Sequence, residues 1–279
     1  MIVTVVGIGL IGGSMALAMR EKSLAQKVIG VEANISHRQK ALRLGLVDEV
    51  MELKDAVAVS DLVILSVPVN VLLPTVQVVL DGVSNQIVMD VGSTKSGVLE
   101  AIKAHPKRGR FVATHPMWGT EHSGPEAAVH GAFAGKATVI CNREECDDDA
   151  LEIVESLYKS LGMHLVYMNA SDHDVHVAYV SHISHITSFA LANTVLQKEK
   201  EEEAIFELAS GGFESTVRLA KSNPGTWVPI FMENRENLLD VLNEHISQLR
   251  KFKACLEKEN YEYLTELIED ANKIKRILK

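Results

Sequence analysis

The chain has 279 residues, 47% of them hydrophobic and 23% charged, which is enough to bury a sizeable core in one large or two moderate domains. Its formal net charge of −9 excludes a broad nucleic-acid footprint, since neutralising phosphates needs clustered Lys and Arg. Cys141, Cys146 and Cys255 form no C-x-x-C spacing and read as reduced thiols rather than a disulfide framework. No stretch approaches the ~20 apolar residues of a membrane helix, so a cytoplasmic protein is expected.

The opening "MIVTVVGIGLIGG" lacks the basic flank of a secretory leader. Its β-branched run breaks into glycines after six residues, as a first strand would. Strands are predicted at Ile2–Val6, Val28–Val31, Leu62–Ser66, Ile87–Val91, Phe111–Ala113 and Thr138–Cys141, with "HLVYM" (164–168) as the last. Helices are predicted between them near Ser14–Lys22, Ser36–Leu44, Leu72–Val79 and Lys95–Ala104. This alternation predicts an α/β, doubly wound parallel sheet with helices on both faces, over residues 1–167.

From 168 to 279 nearly every segment has helical periodicity and none alternates like a strand. "SNPG" (222–225) is the strong breaker. The long segment Trp227–Glu257 carries Ile230, Phe231, Leu238, Leu242, Ile246 and Leu249 as a stripe suited to other helices or another subunit. "KEKEEE" (198–203) reads as a solvated face or loop.

Gly7, Gly9 and Gly12 form G-x-G-x-x-G directly after the first strand and at the start of a helix. Gly7 permits the tight turn, Gly9 lets the backbone approach a pyrophosphate, and Gly12 lets helix and strand pack closely. Glu32, at the end of the second strand, can hold both ribose hydroxyls. Gly7, Gly9, Leu10, Ile11, Gly12 and Glu32 are therefore assigned to a dinucleotide, with Ser66, Val67 and Pro68 bordering it. Glu32 favours NAD by repelling a 2′-phosphate; Arg38 could offset that repulsion and admit NADP.

In an open α/β sheet, ligands bind outside the carboxyl ends of the strands. Ser93, Thr94 and Lys95 follow the fourth strand and should face the nicotinamide end, unless Ser93 or Thr94 only caps the next helix. His115, in "THPMWGTEHSG" (114–124), should reach the same crevice, where a neutral imidazole can accept a hydroxyl proton as hydride departs.

The motifs "VGIGLIGGS", "DVGSTK", "THPMWGTEHSG", "HDVHVAYVSHISH" and "FESTVRLAKSNPGTW" resemble, in order and spacing, those of the prephenate dehydrogenases, arogenate-using relatives included. The resemblance spans nearly the whole chain and leaves no room for a fused chorismate mutase or ACT domain. It implies a Rossmann-type domain with a second, all-helical C-terminal domain, a 6-phosphogluconate-dehydrogenase-like architecture that dimerises through the helical part. The reaction it implies is NAD-dependent oxidative decarboxylation of prephenate to 4-hydroxyphenylpyruvate, or of arogenate to tyrosine. By the same resemblance, His115 is the catalytic histidine at the ring C4 hydroxyl and Ser93 its helper. Arg218 binds a substrate carboxylate, Thr120 and Glu121 line the pocket, and His173, His182 and His185 lie on the helical wall.

Four histidines, His173, His176, His182 and His185, invite a metal reading. On one continuous α-helix they point at about 0°, 300°, 180° and 120° and cannot converge, so no metal is expected. His182 and His185 are then pocket-wall or helix-packing residues, and His122 an exposed loop residue. Trp227 is core or interface, or closes a partner's pocket. Two competing readings remain. A β-hydroxyacid dehydrogenase would rely on a helical-domain lysine, for which Lys221 is the candidate. A non-catalytic NAD-sensing protein would bind cofactor without turnover.

Overall fold

The computed structural model describes residues 1–200 and 205–277; the charge run at 198–203 lies outside them from residue 201 on. The first half alternates β1 (Ile2–Val6), α1 (Leu10–Glu21), β2 (Lys27–Val31), α2 (Ile35–Arg43), β3 (Glu49–Val50), α3 (Leu53–Val59), β4 (Leu62–Leu65), α4 (Val69–Gly82), β5 (Ile87–Asp90), α5 (Ser96–Ile102) and β6 (Phe111–Pro116). β7 (Ala137–Cys141), α6 (Asp148–Ser160) and β8 (His164–Met168) complete the sheet. Helices follow as α7 (Ala170–Val177), α8 (Ile183–Glu199), α9 (Gly211–Val217), α10 (Pro224–Glu233), α11 (Arg235–Glu257) and α12 (Tyr261–Asn272).

The sheet has eight strands in the order β3-β2-β1-β4-β5-β6-β7-β8. Alternate residues feed opposite faces: Leu62 and Ile64 join one apolar cluster, Val63 and Leu65 the other. That period-2 split explains the unbroken hydrophobic runs, because both faces are covered. One expectation is corrected. The sheet is not wholly parallel, since β7 pairs antiparallel with β6 and β8 runs parallel to β7. Residues 117–136 between β6 and β7 contain only the short 3-10 turn Pro125–Ala127. Without a crossover helix the chain cannot return to the far end of the sheet, so β7 starts where β6 ends. The "WGTEHSG" loop is therefore held at the carboxyl end of β6. β3 and α3 are further additions, too short or too weakly patterned to be predicted.

The helical half departs from a single α-helix through 173–185. A π turn, Ala178–His182, is inserted between α7 and α8 and shifts the phase of every later side chain. The predicted long segment also breaks, because Asn234 leaves helical geometry between α10 and α11. By its internal contacts the chain forms two units, Met1–Asn234 and Arg235–Lys279, whereas strand gives way to helix after Met168. No helix among the described residues is long and apolar enough to cross a membrane.

A buried ion pair ties β5, β6 and the start of α5 together. Asp90 and Lys95 are both 0% exposed and bonded to each other. Asp90 also accepts from Gly92 N at 2.9 Å and Thr114 N at 3.1 Å. Thr114 Oγ1 donates to the Asp90 carbonyl and lies 2.6 Å from the Tyr158 hydroxyl. Removing one member of such a pair leaves an uncompensated buried charge. Asp90→Ala is therefore expected to destabilise the fold by about 3–5 kcal/mol, read as a lowered urea midpoint; an unchanged midpoint would show that the pair contributes nothing.

Candidate active site

The glycine-rich turn takes the form its spacing requires. Gly7 has φ +89°, a region that side chains with a Cβ avoid, and a Cβ there would collide with the Ser66 carbonyl. A Cβ on Gly12 would strike the Gly7 carbonyl, whereas one on Gly9 would meet nothing within 4 Å. The open space is thus above Gly9, where α1 begins with no side-chain cap and no acidic residue in its first turn. Uncapped N–H groups at a helix start suit an anion. Glu32 is held by two backbone donors, Ile8 N at 3.0 Å and Asn34 N at 2.9 Å. Arg38 is turned to the Glu32 carbonyl and to Glu52. The turn, the open space and the fixed carboxylate fit a dinucleotide.

These residues line a cavity of about 640 Å³, within the size range of small-molecule sites. Gly7, Gly9, Leu10, Ile11, Glu32, Ser66, Val67 and Pro68 form one part of its wall, and Ser93, Thr120 and Glu121 another. His122 and Ser123, read from sequence as plain loop, line it too, as does Trp227. Ser222, overlooked in the sequence, also borders the cavity; its buried hydroxyl has no hydrogen-bond partner among the described residues.

His115, His173, His182, His185 and Arg218 are not among the residues that line this cavity. His185 stacks on Trp227 with ring centroids 3.3 Å apart, and His182 meets the same ring edge-on at 6.1 Å. Arg218 bonds Glu121 at 2.7 Å, so the cavity's carboxylate already holds the cation expected to bind substrate. Lys221 is exposed, lies 3.7 Å from Glu214 and is not among the lining residues. Lys95 does not face the cavity as expected; its ammonium is sealed against Asp90.

His115 is the penultimate residue of β6. Its Nδ1 lies 2.9 Å from His173 Nε2, and His173 Nδ1 lies 2.8 Å from Asp174 Oδ1. Neither Ser93 nor Thr94 caps α5 with its side chain. The cap comes instead from Asp174, which accepts Lys95 N and Ser96 N at 2.8 Å each. Asn234 Nδ2 bonds the Asp174 carbonyl at 2.7 Å and His182 Nδ1 at 3.1 Å. Asp174 and Asn234 were not singled out in the sequence. The acidic residue next to His173 inside a histidine-rich motif was the available signal.

Burial holds the His115 imidazole well below its ordinary range, and the neighbouring His173, Lys95 and His182 push the same way. Burial also lowers His173, His185 and His182, the last to about 4. His115 is thus neutral near pH 7 and able to accept a proton.

Fold and cavity together define a dehydrogenase that uses a nicotinamide dinucleotide. Residues 15–167 match the prephenate dehydrogenase nucleotide-binding domain and 169–270 the dimerization domain. Prephenate dehydrogenase of Bacillus subtilis (strain 168) is 30% identical over 266 residues, covering 92% of this chain and 71% of the relative. The crystal structure of prephenate dehydrogenase from Aquifex aeolicus in complex with hydroxyphenyl propionate and NAD+ is 31% identical, with TM-score 0.89, over 99% of this chain and 97% of that one. Synechocystis arogenate dehydrogenase is 28% identical, with TM-score 0.78, over all of both chains. The chain belongs to the prephenate dehydrogenase family and is an NAD-dependent dehydrogenase.

The depressed histidines link stability to pH. Each binds a proton more readily in the unfolded chain than in the folded one. Their contribution is therefore complete above pH 6.5 and is lost as pH falls, for His182 through about 4. The urea midpoint is expected to drop between pH 6.5 and 4, and less steeply in His182→Asn. An unchanged slope in that variant would contradict the assignment.

Proposed function

We propose that the enzyme oxidises prephenate with loss of CO2, giving 4-hydroxyphenylpyruvate. The observation that carries this reading is His115 itself: a neutral imidazole at the carboxyl end of β6, hydrogen-bonded to His173 at 2.9 Å. NAD, held by the Gly7–Gly12 turn and Glu32, supplies the hydride acceptor when bound. His115, helped by Ser93, takes the C4 hydroxyl proton as hydride leaves C4. Loss of CO2 from the opposite ring carbon then aromatises the ring, and His115 returns the proton to the phenolic oxygen. Aromatisation supplies much of the driving force, so the chain mainly has to orient the substrate and provide one proton acceptor.

Arg218 binds a substrate carboxylate, a task suited to its planar fork. Glu121 must then release it, a change supported by Arg218 being half exposed. Thr120, His182 and His185 complete the substrate side. Residues 1–167 act as the nucleotide domain and 168–279 as the substrate and dimerisation domain of a cytoplasmic homodimer. The dimer is supported by the match to a dimerization domain and by the exposed Ile246 and Leu249 of α11. Arogenate, giving tyrosine directly, is the second reading, favoured by the similarity to the Synechocystis enzyme.

Purified protein given prephenate and NAD is expected to produce NADH and CO2; no turnover of either prephenate or arogenate would overturn the proposal. His115→Asn is expected to lower kcat by about 10²–10⁴-fold with NAD affinity nearly unchanged. Arg218→Ala is expected mainly to raise KM, and an unchanged KM would move carboxylate recognition elsewhere.

A further inference from the structure

His173 and Asp174 lie beyond the cavity wall and have no task in the reaction above, yet their hydrogen bonds run in one direction only. We propose that they are positioning residues that fix His115 as its Nδ1–H tautomer, leaving the Nε2 lone pair to receive the substrate's hydroxyl proton. This inference rests on the assignment of His115 as proton acceptor and adds which of its two nitrogens does the work.

The direction follows from Asp174. Its carboxylate accepts the backbone N–H groups of Lys95 and Ser96. Burial alone would raise its proton affinity, but the bonds from His173 and Ser96 prevail and hold it below the ordinary carboxylate range. Being ionised, Asp174 has no proton to donate. The 2.8 Å contact with His173 Nδ1 therefore requires Nδ1–H on His173. A neutral imidazole carries one N–H, so His173 Nε2 is an acceptor, and the 2.9 Å contact with His115 requires Nδ1–H there. The unprotonated nitrogen of His115 is then Nε2. The same logic makes His182 an Nε2–H donor, since its Nδ1 accepts from Asn234.

The chain holds only while His173 is neutral. Charged and titratable groups meet it from several elements: Asp174 beside it on α7, Lys95 ahead of α5 and Asp90 on β5. His115 faces His173, Lys95 and His182. Burial and the Lys95 ammonium oppose a positive His173, while Asp174, linked to His115 through His173, offers a carboxylate to offset the imidazolium that forms on His115. In hydrolytic triads of the Ser-His-Asp type, a buried carboxylate acts in this way, and its amide substitute fails through the wrong tautomer.

Long-range proton–nitrogen correlation spectra of the 15N-labelled full-length protein with NAD test this without turnover. With His115 assigned by its loss in His115→Asn, its protonated nitrogen is expected to be Nδ1; a protonated Nε2 would overturn the proposal. His173→Gln keeps a carbonyl acceptor for His115 and His173→Leu does not. The Leu variant is expected to lose kcat by on the order of 100-fold with KM for prephenate little changed, and the Gln variant to recover at least about tenfold of that loss. Equal kcat in the two variants would also overturn it. If the Leu variant fails to fold, the native spectrum still decides. Native protein that turns over neither prephenate nor arogenate would count against the reaction, while the spectrum would decide the tautomer separately.

Discussion

A lysine ammonium sealed from water against an aspartate sets the geometry of this active site. Burying two charges carries a desolvation penalty that is recovered only when every remaining lone pair and proton is satisfied. Asp90 meets that condition by taking donors from Gly92 and Thr114 besides Lys95. The loop that carries Ser93 and the strand that carries His115 are thereby locked to each other. Lys95 extends the same constraint outward, because its backbone N–H is held by Asp174 on α7. One residue thus joins the sheet to the helix that bonds His115.

From that joint the polar chain runs Lys95, Asp174, His173, His115, every link buried or partly buried. Low dielectric strengthens each bond and makes a missing one costly. The helical half therefore supplies a shaped electrostatic environment as well as a wall. The cavity in front is organised differently. Its cofactor end rests on backbone: a turn that only glycine can make, and a carboxylate pinned by two N–H groups. Away from that end the wall carries Trp227 and Glu121, the latter bonded to Arg218.

Local pattern made much of this legible in the sequence. β1 and its glycine turn were readable because a β-branched run, three spaced glycines and a distant acidic residue carry independent physical reasons. The predicted strand at 111–113 stops short of His115, which β6 includes, while Ser93 follows β5 as expected. The misses have a common cause in long-range pairing. Asp174 caps a helix 79 residues away, so local spacing does not reveal it, and offers only Ser93 or Thr94 as the alternative cap. The antiparallel β7 depends on what its loop lacks, a crossover helix. The π turn adds one residue to a helical repeat that otherwise looks regular, and the place of Lys95 after a strand points to the cavity, whereas the structure buries it against Asp90 instead. The predicted start of the first helix, near Ser14, falls late, since α1 begins at Leu10.

Burial and a fixed hydrogen-bond chain hold His115 neutral, the state the proposed proton transfer requires. The pH dependence of kcat/KM for prephenate with saturating NAD tests it most directly. One group that must be unprotonated is expected, titrating below the ordinary histidine value of 6.5, with a flat profile through neutrality. An acid limb centred above pH 6.5, or activity that needs a protonated histidine, would contradict it.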